Sequence, residues 1–275
     1  MDKLIITVAP TGSVPKKKDN PNVPVTPREV IECALRCEDE GASILHIHAR
    51  DGQEDPSDDP AFFREVVEGL KGRTDLILQV STGGRAGTGL ESRTQRLQVR
   101  PEMASLTTGS VNFPTTAYVN PPDLVEGLAK EMSRLGIKPE MEIFDVSMIY
   151  NGVALQEKGL AAPPLHFNFV MGLRGAIPAT IEHLVHMRGC IPPESTWTVS
   201  GIAAAQLRMA VHAILMGGHV RVGLEDNVLL RKGELASNEA LVRQIARWSR
   251  ELGREVAAPD EARRILRLAP PKAHR

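Results

Sequence analysis

The chain has 275 residues, 42% hydrophobic and 24% charged, a balance that can bury a large core and a length that suits one α/β barrel. Lys and Arg number 33 against 34 Asp and Glu, so the net charge of -1 gives no support to non-specific nucleic-acid or membrane binding. Three cysteines, Cys33, Cys37 and Cys190, are too few for a disulfide framework and fit a cytoplasmic protein.

Leu4 to Ala9 is continuous, β-branched and short, and reads as a fully buried strand. It is too short for a signal peptide's apolar region or a membrane span. Pro10-Thr11-Gly12-Ser13 opens a polar loop of about 15 residues, a length more often functional than idle. Its Lys16-Lys17-Lys18 run reads as a solvated surface. Thr26-Pro27-Arg28-Glu29 has the Thr cap, the first-position Pro and the third-position Glu of a helix start. That helix runs to about Glu40 and is closed by Gly41, with Cys33 and Cys37 four apart as buried core.

Strand two is expected over Ser43 to His48 and a helix over Pro60 to Lys71, with Phe62, Val66, Val67 and Leu70 as its apolar stripe. Strand three, Asp75 to Val80, ends in Ser81-Thr82-Gly83-Gly84, where glycine lets backbone approach a ligand closely. Gly83 to Gly89 fits no nucleotide-binding spacing and reads as a flexible active-site loop. Strand four lies within Pro101 to Thr107, and a helix spans Pro121 to Leu135. Strand five covers Glu140 to Asp145, followed by a helix over Ser147 to Gly159. Strand six is Leu165 to Val170 and strand seven Ser195 to Ser200, with helices over Ala179 to Arg188 and Ala203 to Met216. Strand eight is His219 to Leu224. A helix over Asn238 to Leu252 and a short one near Asp260 close the chain.

Eight strands with helical crossovers predict a (β/α)8 TIM barrel, one domain over 1–275 with a C-terminal helical extension. In that fold the polar residues at the strand ends, Thr11, His46, His48, Ser81, Thr107 and Glu225, converge on one face. On a strand, His46 and His48 share a face, while Leu45 and Ile47 point into packing. Two neutral imidazoles side by side can hold two positions of a zinc-like ion; the plainer reading is two satisfied histidines. The carboxylate that completes such a set is Glu225 by first choice and Asp226 by second. His219 lies six residues before Glu225, roughly 20 Å of strand at about 3.3 Å each, and reads as a core histidine. His166 should lie at the opposite barrel end, and His183 and His186 on the outside. Arg221 shares the parity of Glu225 and should point inward, where it needs an acid such as Asp226 or Glu142. An Arg–Asp pair beside a metal makes a base that stays ionised at neutral pH.

These stretches together resemble the β-keto acid cleavage enzymes: Ala9-Pro10-Thr11-Gly12, His46-Ile47-His48-Ala49-Arg50-Asp51, Ser81-Thr82-Gly83-Gly84, Pro101 to Phe113, and Gly218 to Asn227. The resemblance covers nearly the whole chain. It implies a zinc-dependent barrel that condenses a β-keto acid with acetyl-CoA to give acetoacetate and a new CoA ester. It makes His46, His48 and Glu225 the Zn2+ ligands and Arg221 and Asp226 the base dyad. Ser81 would stand beside the reacting atoms, and Ser105 where the family can carry a threonine. Thr11, Thr82, Gly83, Thr107 and Glu142 are expected around the substrate. A homotetramer is implied as well. Members acting on amino-substituted substrates can carry an acid after the first Gly turn, where this chain has Val14 after Ser13. Two other readings compete. One is a metal-dependent barrel hydrolase, though those commonly place the paired histidines on strand one. The other is a non-catalytic barrel that binds a keto acid.

Overall fold

The computed structural model describes residues 2–84 and 88–268. Eight parallel strands close into a barrel: β1 (Ile6–Val8), β2 (Ile44–Ile47), β3 (Ile77–Val80), β4 (Met103–Thr107), β5 (Lys138–Ile143), β6 (His166–Met171), β7 (Thr196–Gly201) and β8 (His219–Val222). Each strand pairs with its neighbours in sequence, and β1 closes the ring against β8. This is the (β/α)8 architecture expected from the alternation of short apolar runs with amphipathic segments.

The helices are α1 (Pro27–Asp39), α2 (Pro60–Leu70), α3 (Leu90–Gln95), α4 (Pro122–Leu135), α5 (Val146–Glu157), α6 (Ile181–Cys190), α7 (Gln206–Met216), α8 (Asn238–Glu251) and α9 (Pro259–Leu266). At α1 the Thr26 hydroxyl accepts from the Glu29 N–H while the Glu29 carboxylate accepts from the Thr26 N–H, so the reciprocal cap read from the sequence forms. Cys33 and Cys37 lie buried on α1 with their sulfurs 3.9 Å apart. Glu239 approaches them, but its carboxylate is held by Arg36 at 2.9 Å. The hydrogen bond with Cys33, and then burial, push the Cys37 thiol up, so this pair is core packing.

Helix α9 covers the end of the barrel opposite the strand C-termini. Ala262 and Leu266 pack with Ile5, Ile44, Ile77 and Met103, at the starts of four successive strands. Among the described residues no helix is long and apolar enough to cross a membrane.

Three features depart from the sequence reading. Helix α3 and the 3-10 turn Arg96–Val99 occupy residues 90–99, to which the sequence assigns no element. Six residues without an apolar stripe, and a Gly89 cap that gives no side-chain bond, leave no periodic signal. Two-stranded ribbons such as Ala49–Arg50 with Pro56–Ser57 are too short to read. The third departure is at β8, which ends at Val222 rather than Leu224. Gly223 has φ +148°, and a Cβ there would lie 2.0 Å from the Ala9 carbonyl oxygen. The chain therefore turns at Gly223, and the Glu225 N–H donates to that same carbonyl at 3.1 Å.

Candidate active site

His46 and His48 stand on one face at the end of β2, ring centroids 5.1 Å apart. The turn after β8 swings Glu225 across the barrel mouth towards them. Its Oε1 lies 3.2 Å from His48 Nε2 and its Oε2 3.9 Å from His46 Nε2. Gly12 makes room for this: its φ is +65°, and a Cβ there would fall 2.2 Å from Glu225 Cγ. Two nitrogens and one carboxylate oxygen thus lie within 4.8 Å of one another. His46 Nε2 and Glu225 Oε2 are buried and have no hydrogen-bond partner among the described residues. Buried polar atoms left bare are costly. Here they belong to a His–His–carboxylate donor set of the kind that binds zinc-like ions, so the residues fit a metal.

Asp226 takes a different direction. It accepts two hydrogen bonds from Arg221, Nε to Oδ2 at 2.9 Å and Nη2 to Oδ1 at 3.1 Å. Arg221 also reaches Glu225 Oε1 at 2.7 Å and Glu142 Oε1 at 3.4 Å. One buried guanidinium thus faces three carboxylates, and both acids named as partners for it pair with it. The choice between Glu225 and Asp226 resolves in space: the first faces the histidines, the second locks the arginine.

The electrostatics follow from burial and this charge cluster. Burial, then the Arg221 charge, draws His46 down to about 3, so the imidazole is neutral at physiological pH. Burial would raise Glu225, but Arg221, His48 and His46 outweigh it and hold the carboxyl well below its usual range. For Asp226 burial wins over Arg221 and lifts it to about 6. Burial lifts Glu142 to about 7, with Arg221 opposing.

The remaining expected residues line the same end. The Ser81 hydroxyl accepts from the Gly83 N–H at 3.1 Å. The Ser105 hydroxyl accepts from the Thr82 N–H at 3.3 Å, and the Thr82 hydroxyl donates to the Ser105 carbonyl at 2.6 Å. Thr107 donates to Glu142 Oε2 at 2.8 Å. The Thr11 hydroxyl is buried and donates to the Pro24 carbonyl at 2.6 Å. A cavity of about 360 Å³ opens beside His48, lined among others by Ser13, Ser57, Asp58, Gly83 and Arg96. In the expected active-site loop, Arg85, Ala86 and Gly87 lie outside the described residues.

Other expectations fall away from the site. His219 is buried, and its Nδ1 accepts from the Ile5 N–H at 3.1 Å. His166 lies 3.2 Å from Glu140 near the strand starts. His183 and His186 lie on α6, outside the barrel. Lys16 and Lys17 pair with Asp55 and Glu29.

Three further residues, to which the sequence assigns no role, shape the site. Arg50 donates to the carbonyls of Gly12, Glu54 and Pro15 and so fixes the loop after β1. Arg96 donates to the carbonyls of Ser81 and Gly83 and pairs with Asp58. Gln79 meets His46 Nδ1 at 2.6 Å. For Gln79 the signal was present, a polar residue inside the apolar run of β3.

Comparison with known proteins decides the family. The model of the beta-keto acid cleavage enzymes matches residues 3–268. This chain belongs to that family. Among curated β-keto acid cleavage enzymes, the 3-oxoadipate:acetyl-CoA acetyltransferase of Cupriavidus necator is 50% identical over 269 residues, covering 96% of this chain and 94% of that protein. The 3-keto-5-aminohexanoate cleavage enzyme of Acetoanaerobium sticklandii is 45% identical, covering 98% of this chain and 100% of that one. The solved apo structure of ObcA shares the fold at a TM-score of 0.79 and 20% identity, over 90% of this chain and 66% of its own.

Proposed function

We propose that this β-keto acid cleavage enzyme condenses a β-keto acid with acetyl-CoA, giving acetoacetate and a new CoA ester, with Zn2+ held by His46, His48 and Glu225. The observation that carries the reading is the pair of bare, buried donor atoms, His46 Nε2 and Glu225 Oε2, beside the Arg221–Asp226 pair. Family membership supports it, as do the relatives whose names couple a β-keto acid to acetyl-CoA.

When bound, the ion supplies a Lewis acid for the negative charge that develops on the substrate's oxygens. The chain's own residues do the rest. Asp226 takes the α-proton at a carboxylate oxygen; lifted to about 6, it is ionised at neutral pH yet basic enough to accept. Arg221 holds that carboxylate in place through two bonds. Ser81, Ser105, Thr82, Gly83, Thr107, Glu142 and Thr11 shape the pocket around the substrate. The substrate carbanion then attacks the acetyl thioester and CoA leaves as thiolate. The thiolate adds to the former keto carbon, the carbon–carbon bond breaks to leave the new CoA ester, and the acetoacetate carbanion takes back the proton from Asp226 before it is released. Atoms balance without a redox partner. By family resemblance we extend the proposal to a cytoplasmic homotetramer, which sedimentation of the purified protein tests.

The experiment is a panel of β-keto acids, 3-oxoadipate and 3-keto-5-aminohexanoate among them, incubated with zinc-loaded protein and acetyl-CoA. Acetoacetate and a new CoA ester should appear together and only when both substrates are present. Zinc-bound protein that forms no CoA ester from any acid would overturn the reading.

A further inference from the structure

We infer that Gln79 is a positioning residue for the metal site: its side-chain oxygen fixes the tautomer of His46 that leaves Nε2 bare. The inference rests on the metal reading above and goes beyond it to a residue that touches neither substrate nor ion. Gln79 sits on β3, and the parallel register sets it directly beside His46 on β2. It is fully buried. Its Oε1 lies 2.6 Å from His46 Nδ1, a short hydrogen bond between two fully buried side chains.

A neutral imidazole carries one proton, and the two nitrogens compete for it. A carbonyl oxygen only accepts, so Nδ1 must hold the proton to make this bond. Nε2 is then left with its lone pair, facing Glu225. The opposite tautomer would put a hydrogen at Nε2, where no acceptor among the described residues lies within hydrogen-bond distance, and would set a lone pair against the Gln79 oxygen. Both ends of the ring therefore favour the same form. A partner on the outer nitrogen of a metal-binding histidine also fixes ring orientation and raises its basicity.

Two measurements test this. In metal-free wild type, long-range nitrogen–proton NMR of labelled histidine should show His46 protonated at Nδ1; protonation at Nε2 overturns the inference. In parallel, Zn2+ affinity is measured by chelator competition. Gln79→Leu should weaken it on the order of 10- to 100-fold, while Gln79→Glu, which keeps an acceptor, should restore most of it. A folded Gln79→Leu that binds like wild type overturns the role of Gln79 alone. Wild type that takes up no Zn2+ overturns the metal site and this inference with it. Should Gln79→Leu not fold, the wild-type NMR and the Gln79→Glu affinity still decide: an Nε2-protonated ring, or a Gln79→Glu that binds far more weakly than wild type, overturns it.

Discussion

Arg221 and Asp226 meet through two hydrogen bonds, at 2.9 and 3.1 Å, across the turn that ends the last barrel strand. Both are buried. A buried guanidinium stripped of its partner is destabilising by roughly 3–5 kcal/mol, so this pair has a structural as well as a chemical role. Asp226→Asn separates the two. The amide keeps the size and one acceptor but cannot take a proton. Turnover should fall on the order of 10²- to 10⁴-fold while zinc content stays at the wild-type level. Steady-state kinetics with metal analysis checks this, and an active variant removes Asp226 as the base.

His48 Nε2 lies 3.2 Å from Glu225 Oε1 at the open side of the donor set. His48→Ala takes away one of three protein ligands. The purified variant should hold little or no zinc, and its melting temperature should no longer respond to added Zn2+. Full zinc retention in elemental analysis would contradict the ligand assignment.

Gly12→Ala should act at a distance from the chemistry. The added methyl meets Glu225 Cγ, and the φ of +65° strains any L residue by roughly 1–2 kcal/mol. Glu225 must shift, so zinc affinity should drop more than stability does. Chelator competition and thermal melts on the same sample separate the two effects; unchanged affinity would mean that Glu225 does not depend on this turn.

Glu140 gives a pH signature. Burial alone would raise it, but the hydrogen bond and charge of His166, then His46 and Arg221, bring it from 4.5 to about 2. A carboxyl with a lowered folded pKa contributes stability above its unfolded value and loses it as the pH falls. That contribution should be intact above about pH 4.5 and vanish towards pH 2. Glu140→Gln lacks it at every pH, so the gap in melting temperature should be widest near neutrality and close in acid. A gap that stays constant from pH 5 to about 3 would show that the carboxylate carries no net stabilisation.

Much of this was legible in the sequence because strand physics leaves a clear mark. The i, i+2 spacing of His46 and His48 survives folding unchanged, and the apolar runs from Leu4 to Val222 mark every barrel strand. What was not legible lies where regularity stops. The sequence ranks Glu225 before Asp226, but strand parity counted from Arg221 does not carry that far, because the glycine turn at Gly223 resets the direction of the chain. Arg96 was hidden in a 3-10 turn behind a six-residue helix, and two of its targets are backbone carbonyls, which no side-chain pattern announces. Gln79 looked like an exception within a buried strand; its meaning depended on which residue β2 set beside it.

The closure of β1 against β8 has a consequence for how the molecule comes into being. The first strand is synthesised early, and one of its edges finds β2 soon afterwards. The other edge waits for Val220, Arg221 and Val222. While the ribosome makes the intervening helices and strands, the nascent sheet carries an unpaired, apolar border, the kind of surface that invites pairing with other chains. Helix α9, which plugs the far end over Ile5, Ile44, Ile77 and Met103, comes later still. The barrel therefore cannot close until β8 has been made, and the open edge of β1 stays available to other chains until then.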